Sequence, residues 1–226
     1  MIYPLDSELE PVITGRIFDR IMQDPDAQVV EWNRCKNEPW YWLVNYVFTK
    51  RKDENVDGAS VERFPADEYL RYVFDMCFRE RYLAIDKSRQ MRLTWLFMSF
   101  GLYWAEFHDN EEVICQTKAE AIADSELVKR ALFMFEHQPV WMRRGIVNNS
   151  YCVLGFDNGS LIRGIPSGAH KIRAYNPTRG IIDECGFLEG EFEECKNDML
   201  ACCKDVKVVS SAMAGEWGDF INSVAA

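Results

Sequence analysis

The chain has 226 residues, 48% of them hydrophobic and 13% aromatic, enough to bury the core of one sizeable α/β domain with a small appendage. A formal charge of −10 excludes a chain that coats nucleic acid over its whole surface, but not a local basic patch, for which Arg143, Arg144, Lys171 and Arg173 are available. No run of roughly 18 uncharged apolar residues is present, so no membrane span is expected, and the acidic start MIYPLDSELEP lacks the basic and apolar regions of a secretory signal.

Residues 1–37 read as mostly helical and polar, with one apolar-periodic piece at Ile17, Ile21 and Met22. Trp42–Thr49 is rich in aromatic and β-branched residues, which favours a strand, and the Asp57-Gly58 turn signal before Val61–Phe64 suggests that the two form a hairpin. Pro65 opens a helical segment, Ala66–Arg79, with Tyr69, Val73, Phe74 and Cys77 at helical spacing. The apolar run Leu83–Ile85 is the next strand; a cationic loop follows, and Thr94–His108 reads as a helix buried on most sides. Glu112–Thr117 is a short strand, and Lys118–His137 an amphipathic helix with Ala121, Leu127, Ala131, Leu132 and Phe135 on one stripe. This strand–loop–helix–strand–helix order predicts a mostly parallel sheet covered by helices.

Tyr151–Phe156, the Asn158-Gly159 turn and Ser160–Ile165 then suggest a hairpin or meander. Lys171–Tyr175 is a possible short strand, Arg179–Asp183 an apolar strand ending on acids, Glu191–Cys203 a helix, and Asp205–Ser211 a last strand ending in hydroxyls. The eight cysteines form no C-x-x-C, and only three histidines are present to complete a zinc site. Several, such as Cys77, Cys115 and Cys152, lie in apolar runs, so all are expected to be reduced, in an intracellular protein.

Two segments carry chemistry. The first is the loop Lys87, Ser88, Arg89, Gln90, Met91, Arg92, Leu93, Thr94, which has the strand–loop–helix layout of a phosphate cradle but departs from G-x-x-x-x-G-K-[ST]. Lys87 and Arg92 stand at the glycine positions and Leu93 at the lysine position; only Thr94 matches. Thr94 can supply a hydroxyl to Mg²⁺, while Lys87 folding back, and Arg89 beside it, can supply charge to the β/γ-phosphates. Arg92 in place of glycine requires that the backbone avoid positive φ or bear strain. A solvated basic turn capping a core strand is the plainer reading of the same residues.

The second segment is Gly180-Ile181-Ile182-Asp183-Glu184, which puts two carboxylates at the carboxyl edge of a parallel sheet, where ligands bind in open α/β folds. Asp183 suits a role in holding Mg²⁺ and Glu184 one in polarising the attacking water. An acidic pair capping a helix start is the alternative.

KSRQMRLTW, IIDECGF and VVSSA together resemble the ATPase motor of the large terminase subunit of tailed bacteriophages, over roughly residues 32–220. That family often carries a deviant loop, K-S-x-x-x-x-x-[ST], which Lys87, Ser88 and Thr94 match. The resemblance implies a P-loop NTPase fold, with residues 1–64 as a small N-terminal subdomain and 65–226 as the ATPase core. It implies ATP and Mg²⁺ as ligands and Asp183-Glu184 as the second ATPase motif. Ser210, Ser211 and Ala212 correspond to a hydroxyl-rich motif that couples hydrolysis to movement. An arginine that completes a neighbouring subunit's site is also implied; Arg173 fits best, with Arg163 and Arg179 as rivals. The family's adenine site lies just upstream of the first strand, where Tyr69 can stack on a base or pack in the core. The implied partners are double-stranded viral DNA, a small terminase subunit, a portal protein and sister copies in a ring, expected to be a pentamer, in the host cytoplasm. The sequence ends about 40 residues beyond Asp183, so the family's C-terminal nuclease domain has no room and DNA cleavage is not expected. A helicase-like translocase and a non-catalytic assembly module that has lost ATP turnover are the competing readings.

Overall fold

The computed structural model describes residues 15–52, 59–168, 170–188, 191–212 and 215–224. Helices α1 (Gly15–Gln23), α2 (Pro25–Asn37) and α3 (Pro39–Tyr46) come first. Asp24 caps α2 by accepting from the backbone N–H of Asp26 at 3.0 Å and of Ala27 at 3.3 Å, with Pro25 preset for the first turn.

The strand expected from Trp42 is largely α3 instead. Pro39 fixes the first helical φ, and every residue from Trp40 to Tyr46 is buried. β-Propensity describes a half-buried pleated surface; a segment buried all round is free of it. Trp42 packs edge-on against Phe107, and its indole N–H donates to Gln138 Oε1 at 3.2 Å.

The hairpin itself forms, from β1 (Phe48–Lys52) and β2 (Ala59–Arg63) in antiparallel register with Thr49 opposite Glu62. The Asp57-Gly58 turn lies outside the described residues. In α4 (Glu68–Arg79) the buried stripe is Leu70, Phe74 and Cys77; Tyr69 is exposed.

Next come β3 (Tyr82–Lys87), α5 (Leu93–Phe107) and β4 (Glu112–Thr117). The single helix expected over Lys118–His137 is α6 (Glu120–Ile122), a π-helical stretch (Ala123–Val128) and α7 (Lys129–Glu136), with Ala121 exposed. A Cβ on Gly164 would lie 3.0 Å from Ala123 Cβ and 3.1 Å from Val128 Cγ2, so the π-stretch sits directly on that glycine.

The chain continues through β5 (Ile146–Ser150), β6 (Val153–Phe156) and β7 (Leu161–Pro166). Lys171–Ala174, expected as a strand, is a 3-10 turn. His170 enters it at φ 64, and Asp198 takes up the His170 N–H at 3.0 Å, which holds the backbone away from any sheet edge. Strand β8 (Arg179–Asp183), helix α8 (Phe192–Cys202), strand β9 (Asp205–Ser211) and helix α9 (Glu216–Val224) complete the chain.

The larger sheet has the order β3-β9-β8-β4-β7-β6-β5. The first five strands of that order are mutually parallel, and β6 and β5 add an antiparallel edge. This is the expected mixed α/β architecture. Both faces are covered: Cys115, Ile181 and Val209 join the core beneath α5 and α7, while Ile114, Ile182 and Val208 join the core beneath α8 and α9. The N-terminal helices share the first of these cores. Arg143 and Arg144 lie on the α5 side and Lys171 and Arg173 on the α8 side, so the four cations do not form one patch. All eight cysteines are free thiols, seven of them buried.

At the amino-terminal edge of the sheet Arg179 is half-enclosed by the Trp104 ring, 3.4 Å from guanidinium to centroid. It pairs with Glu111 at 3.4 Å and also with Asp205, its own cross-strand partner. β8 is thus fixed at its first residue. Above it Gly180 admits α8: an added Cβ would fall 2.4 Å from Met199 Cγ and Sδ. Gly180→Ala is therefore expected to lower stability by about 1–3 kcal/mol, seen as a lower denaturant midpoint at unchanged slope, and Met199→Ala in that background should recover part of the loss.

Candidate functional site

Parallel register brings three strand ends to one edge of the sheet, with β8 stopping two residues before the end of β9. Lys87 ends β3 opposite Ser211 of β9, and Asp183 ends β8 opposite Val209 of β9. A loop then carries the chain from Lys87 into α5, whose first N–H groups have no partner within the helix. It contains no glycine, yet Gln90 and Arg92 take φ 67 and φ 55. Of the two alternatives the sequence posed for Arg92, the backbone adopts the strained one, at about 1–3 kcal/mol per residue for such conformations. Contacts from outside the loop offset this. The Tyr69 hydroxyl donates to the Met91 carbonyl at 3.4 Å, and the Arg92 guanidinium donates to Thr49 Oγ1 at 3.0 Å and pairs with Glu62 at 2.5 Å.

From β8 come the two acids. Asp183 is buried, and Glu184 follows at φ 53, turning the chain into a 3-10 segment, Cys185–Phe187. Lys87 Nζ meets Glu184 Oε1 at 2.9 Å. The Thr94 hydroxyl donates to Asp183 Oδ1 at 3.0 Å. From β9, the Ser211 N–H reaches Glu184 Oε2 at 3.5 Å, and Ser210 Oγ accepts from the Gly186 N–H at 2.9 Å. An open depression of about 290 Å³ lies over these groups, lined by Lys87, Arg89, Gln90, Glu184, Phe187 and Ser211.

The two sequence segments thus meet. Lys87, Arg89, Gln90, Glu184 and Ser211 line the depression; Thr94 and Asp183 are bonded to each other beside it, Asp183 being next in sequence to Glu184, and Ser210 braces the 3-10 segment. Ser88 is exposed in the loop, and Ala212 is exposed just beyond β9. Leu93 is buried in the core, so its side chain takes no part and only its backbone faces the turn. Tyr69 is exposed and touches the loop backbone. Arg173 stands apart from the depression on its 3-10 turn, held by Asp198 at 2.6 Å and 58% exposed at the side chain. Its rivals are engaged: Arg163 pairs with Glu112 and stacks on Tyr175, and Arg179 lies buried at the opposite sheet edge. Sequence reading missed Phe187, whose ring lies under Lys118, and missed Glu62 and Thr49. Glu62 carries a visible signal in hindsight, an acid inside a short strand three residues before Pro65.

Among the described residues no group of three or more His, Cys, Asp or Glu could hold a metal by itself. The paired oxygens of Thr94 and Asp183 nevertheless suit a hard cation that keeps several waters and completes its shell with phosphate oxygens. The donor set therefore fits Mg²⁺ bound together with a nucleotide.

No family model matches the sequence. The fold is shared with the large terminase of bacteriophage HK97, with a TM-score of 0.64 and 11% identity over 84% of this chain and 41% of that one. This chain spans about two fifths of the length of that protein. The ATPase domain of the Thermus phage P74-26 large terminase aligns more loosely, with a TM-score of 0.44 and 12% identity over 66% of this chain and 67% of that domain. So does the large terminase of the thermophilic bacteriophage D6E, solved in complex with ADP, with a TM-score of 0.47 and 8% identity over 64% of this chain and 38% of that one. The resemblance carried by the motifs holds at the level of the fold: a mostly parallel sheet flanked by helices, shared with the HK97 protein.

Burial pushes the Asp183 carboxyl up to about 6, helped by the neighbouring Glu184 charge and opposed by Lys87 and the Thr94 hydroxyl. With its pKa raised on folding, Asp183 holds a proton more tightly in the folded state, so its contribution turns increasingly unfavourable as pH rises from about 4 to about 6. Asp183→Asn keeps an acceptor for Thr94 and removes the buried charge. In metal-free protein it should raise stability at pH 7.5 by on the order of 2 kcal/mol and leave it nearly unchanged at pH 4, which denaturant titrations at the two pH values will show.

Proposed function

We propose that this chain is the ATP-hydrolysing motor part of a phage large terminase, which drives viral double-stranded DNA into a procapsid. One observation carries the reading. A cation from the end of β3 meets the carboxylate that follows β8 at 2.9 Å, and the preceding residue of β8 forms a hydroxyl–carboxylate pair with Thr94 at 3.0 Å. Phosphate-binding and water-activating groups are thereby gathered at one sheet edge.

In this reading Lys87 and Arg89 hold the β- and γ-phosphates, and the free N–H groups of α5 face the same oxygens. Thr94 and Asp183 would hold Mg²⁺, which would supply positive charge against the negative charge developing on the phosphates. A phosphate that engages Lys87 competes with Glu184 for it and frees that carboxylate. The released Glu184 carboxylate, braced by the Ser211 N–H, then orients a water and accepts its proton as the water oxygen bonds to the γ-phosphorus and the bond to ADP breaks. Arg173, exposed and with its guanidinium held by Asp198 through Nε and Nη2, is the group offered to a neighbouring subunit's phosphates in a ring, which we take to be a pentamer on the portal. Ser210, Ser211 and Ala212 lead from the site toward α9, where Trp217 Nε1 donates to Asp86 Oδ1 at 2.9 Å, next to Lys87. The small terminase subunit, the portal and the host cytoplasm belong to the same proposal. So do the division into an N-terminal part (1–64) and an ATPase core (65–226), and the lack of DNA cleavage by the chain alone.

A non-catalytic assembly module is the second reading, favoured by the glycine-free loop and by a lysine already neutralised by Glu184. Mg²⁺-dependent ATP hydrolysis measured against protein concentration separates the two. A motor is expected to show activity that climbs more steeply than linearly, with Lys87→Ala and Glu184→Gln each lowering it roughly 10²–10⁴-fold. Mixing Arg173→Ala with Glu184→Gln subunits should restore part of it. Absence of hydrolysis at any concentration would favour the module.

A further inference from the structure

The loop between β3 and α5 is a turn that does not hold itself. It has no glycine to adopt its two left-handed positions, and the residue preceding α5 offers no side-chain cap. What holds it comes from the β1–β2 hairpin, more than 25 positions away in sequence. Thr49 and Glu62 are direct cross-strand partners, and a single guanidinium, that of Arg92, spans the pair: Nη1 to Thr49 Oγ1 at 3.0 Å and Nη2 to Glu62 Oε1 at 2.5 Å. Thr49 is fully buried, and the Arg92 side chain is 23% exposed. Arg92 is not among the residues lining the depression. A planar fork with both ends occupied has a fixed direction as well as a charge, so it holds the backbone at its root in place.

We propose that the β1–β2 hairpin is a working part of the nucleotide site and that Arg92 is a positioning residue rather than a phosphate ligand. Seated on Thr49 and Glu62, Arg92 holds the last residue of the loop in its left-handed conformation. That in turn sets where Lys87, at one end, and the first N–H groups of α5, at the other, stand relative to a bound phosphate. The hairpin register supplies the spacing of the two acceptors; a slip by one residue would turn one of them to the other face. An arginine at a position where related loops carry glycine then has a physical reason: the left-handed backbone is obtained by tethering instead of by conformational freedom. The inference rests on the nucleotide-site reading for its functional part only.

The test uses the full chain and the variants Arg92→Ala, Arg92→Lys, Glu62→Gln, Thr49→Val and Arg92→Ala/Glu62→Gln. Amide hydrogen exchange of residues 88–95 in nucleotide-free protein reads the tether alone. Arg92→Ala and Glu62→Gln should each speed it while exchange in β4 and β8 stays slow, and Thr49→Val should act more weakly in the same direction. Binding of a fluorescent ADP analogue with Mg²⁺, together with the KM-against-kcat split, reads the consequence. Arg92→Ala and Glu62→Gln should weaken binding by a similar factor, between about tenfold and a hundredfold. The double variant should be no weaker than either single one, the loss should fall mainly on KM, and Arg92→Lys should recover part of the affinity.

If Arg92 touches phosphate directly, Glu62→Gln will leave affinity unchanged or tighten it while Arg92→Ala weakens it; that pattern would overturn the proposal. Unchanged exchange in Arg92→Ala would overturn it as well. If one substitution prevents folding, Thr49→Val and Arg92→Lys carry the same comparison. Should wild-type protein bind no nucleotide, the motor reading fails while the exchange experiment still judges the tether.

Discussion

The arrangement at the carboxyl edge follows from one constraint, the parallel pairing of β3, β9 and β8 in a register that brings their carboxyl ends to one edge, with Asp183 opposite Val209 and Lys87 opposite Ser211. β9 lies between the other two, so Lys87 and Glu184 close over its tip at 2.9 Å, and the Ser211 N–H sits beneath them. Displacing one strand by one residue would put each functional side chain on the wrong face. The apolar alternation of the strands, with Ile181 and Val209 toward α5 and Ile182 and Val208 toward α8, is what forbids such a slip, because it would expose both cores at once. The geometry of the site is thus enforced by burial elsewhere in the sheet.

Electrostatics at the edge works against burial. Asp183 is almost fully enclosed, which by itself favours its neutral form, and the adjacent Glu184 adds to that. Lys87, with its side chain only 7% exposed, supplies the compensating charge. Loss of Glu184 would leave the enclosed lysine without its carboxylate, whereas loss of the Asp183 charge leaves the Lys87–Glu184 pair intact. On the proposed reading a nucleotide brings both anionic phosphates and a cation, so it exchanges partners at this cluster rather than filling an inert hole.

Much of this was legible in the residues. Glu112–Thr117, Arg179–Asp183 and Asp205–Ser211 form strands with the expected bounds, because apolar runs ending in polar residues have few other uses in a protein of this class. The pairing of the loop with Asp183-Glu184 was legible too, since a cation-rich strand end and an acid-rich strand end are complementary. Local propensity failed where packing decided the outcome. Trp40–Tyr46 is helical because it is buried on every side, Lys171–Ala174 turns where Asp198 holds the His170 N–H at its entry, and the π-stretch Ala123–Val128 forms against Gly164, a contact made in three dimensions. The Arg92 tether was out of reach for a different reason: its acceptors lie in another element, and nothing in the loop names them.

Arg179, described as fixing the start of β8, gives that strand an unequal character along its length. Its first residue is gripped by an aromatic face and two carboxylates, whereas its last is followed by a left-handed glutamate and held by single hydrogen bonds and one ion pair. In mechanical terms β8 is gripped by side chains at its base, while toward its tip the ladders to β4 and β9 hold it. A change of side-chain partners at Asp183 and Glu184 therefore leaves the grip on Arg179, at the opposite edge of the sheet, untouched.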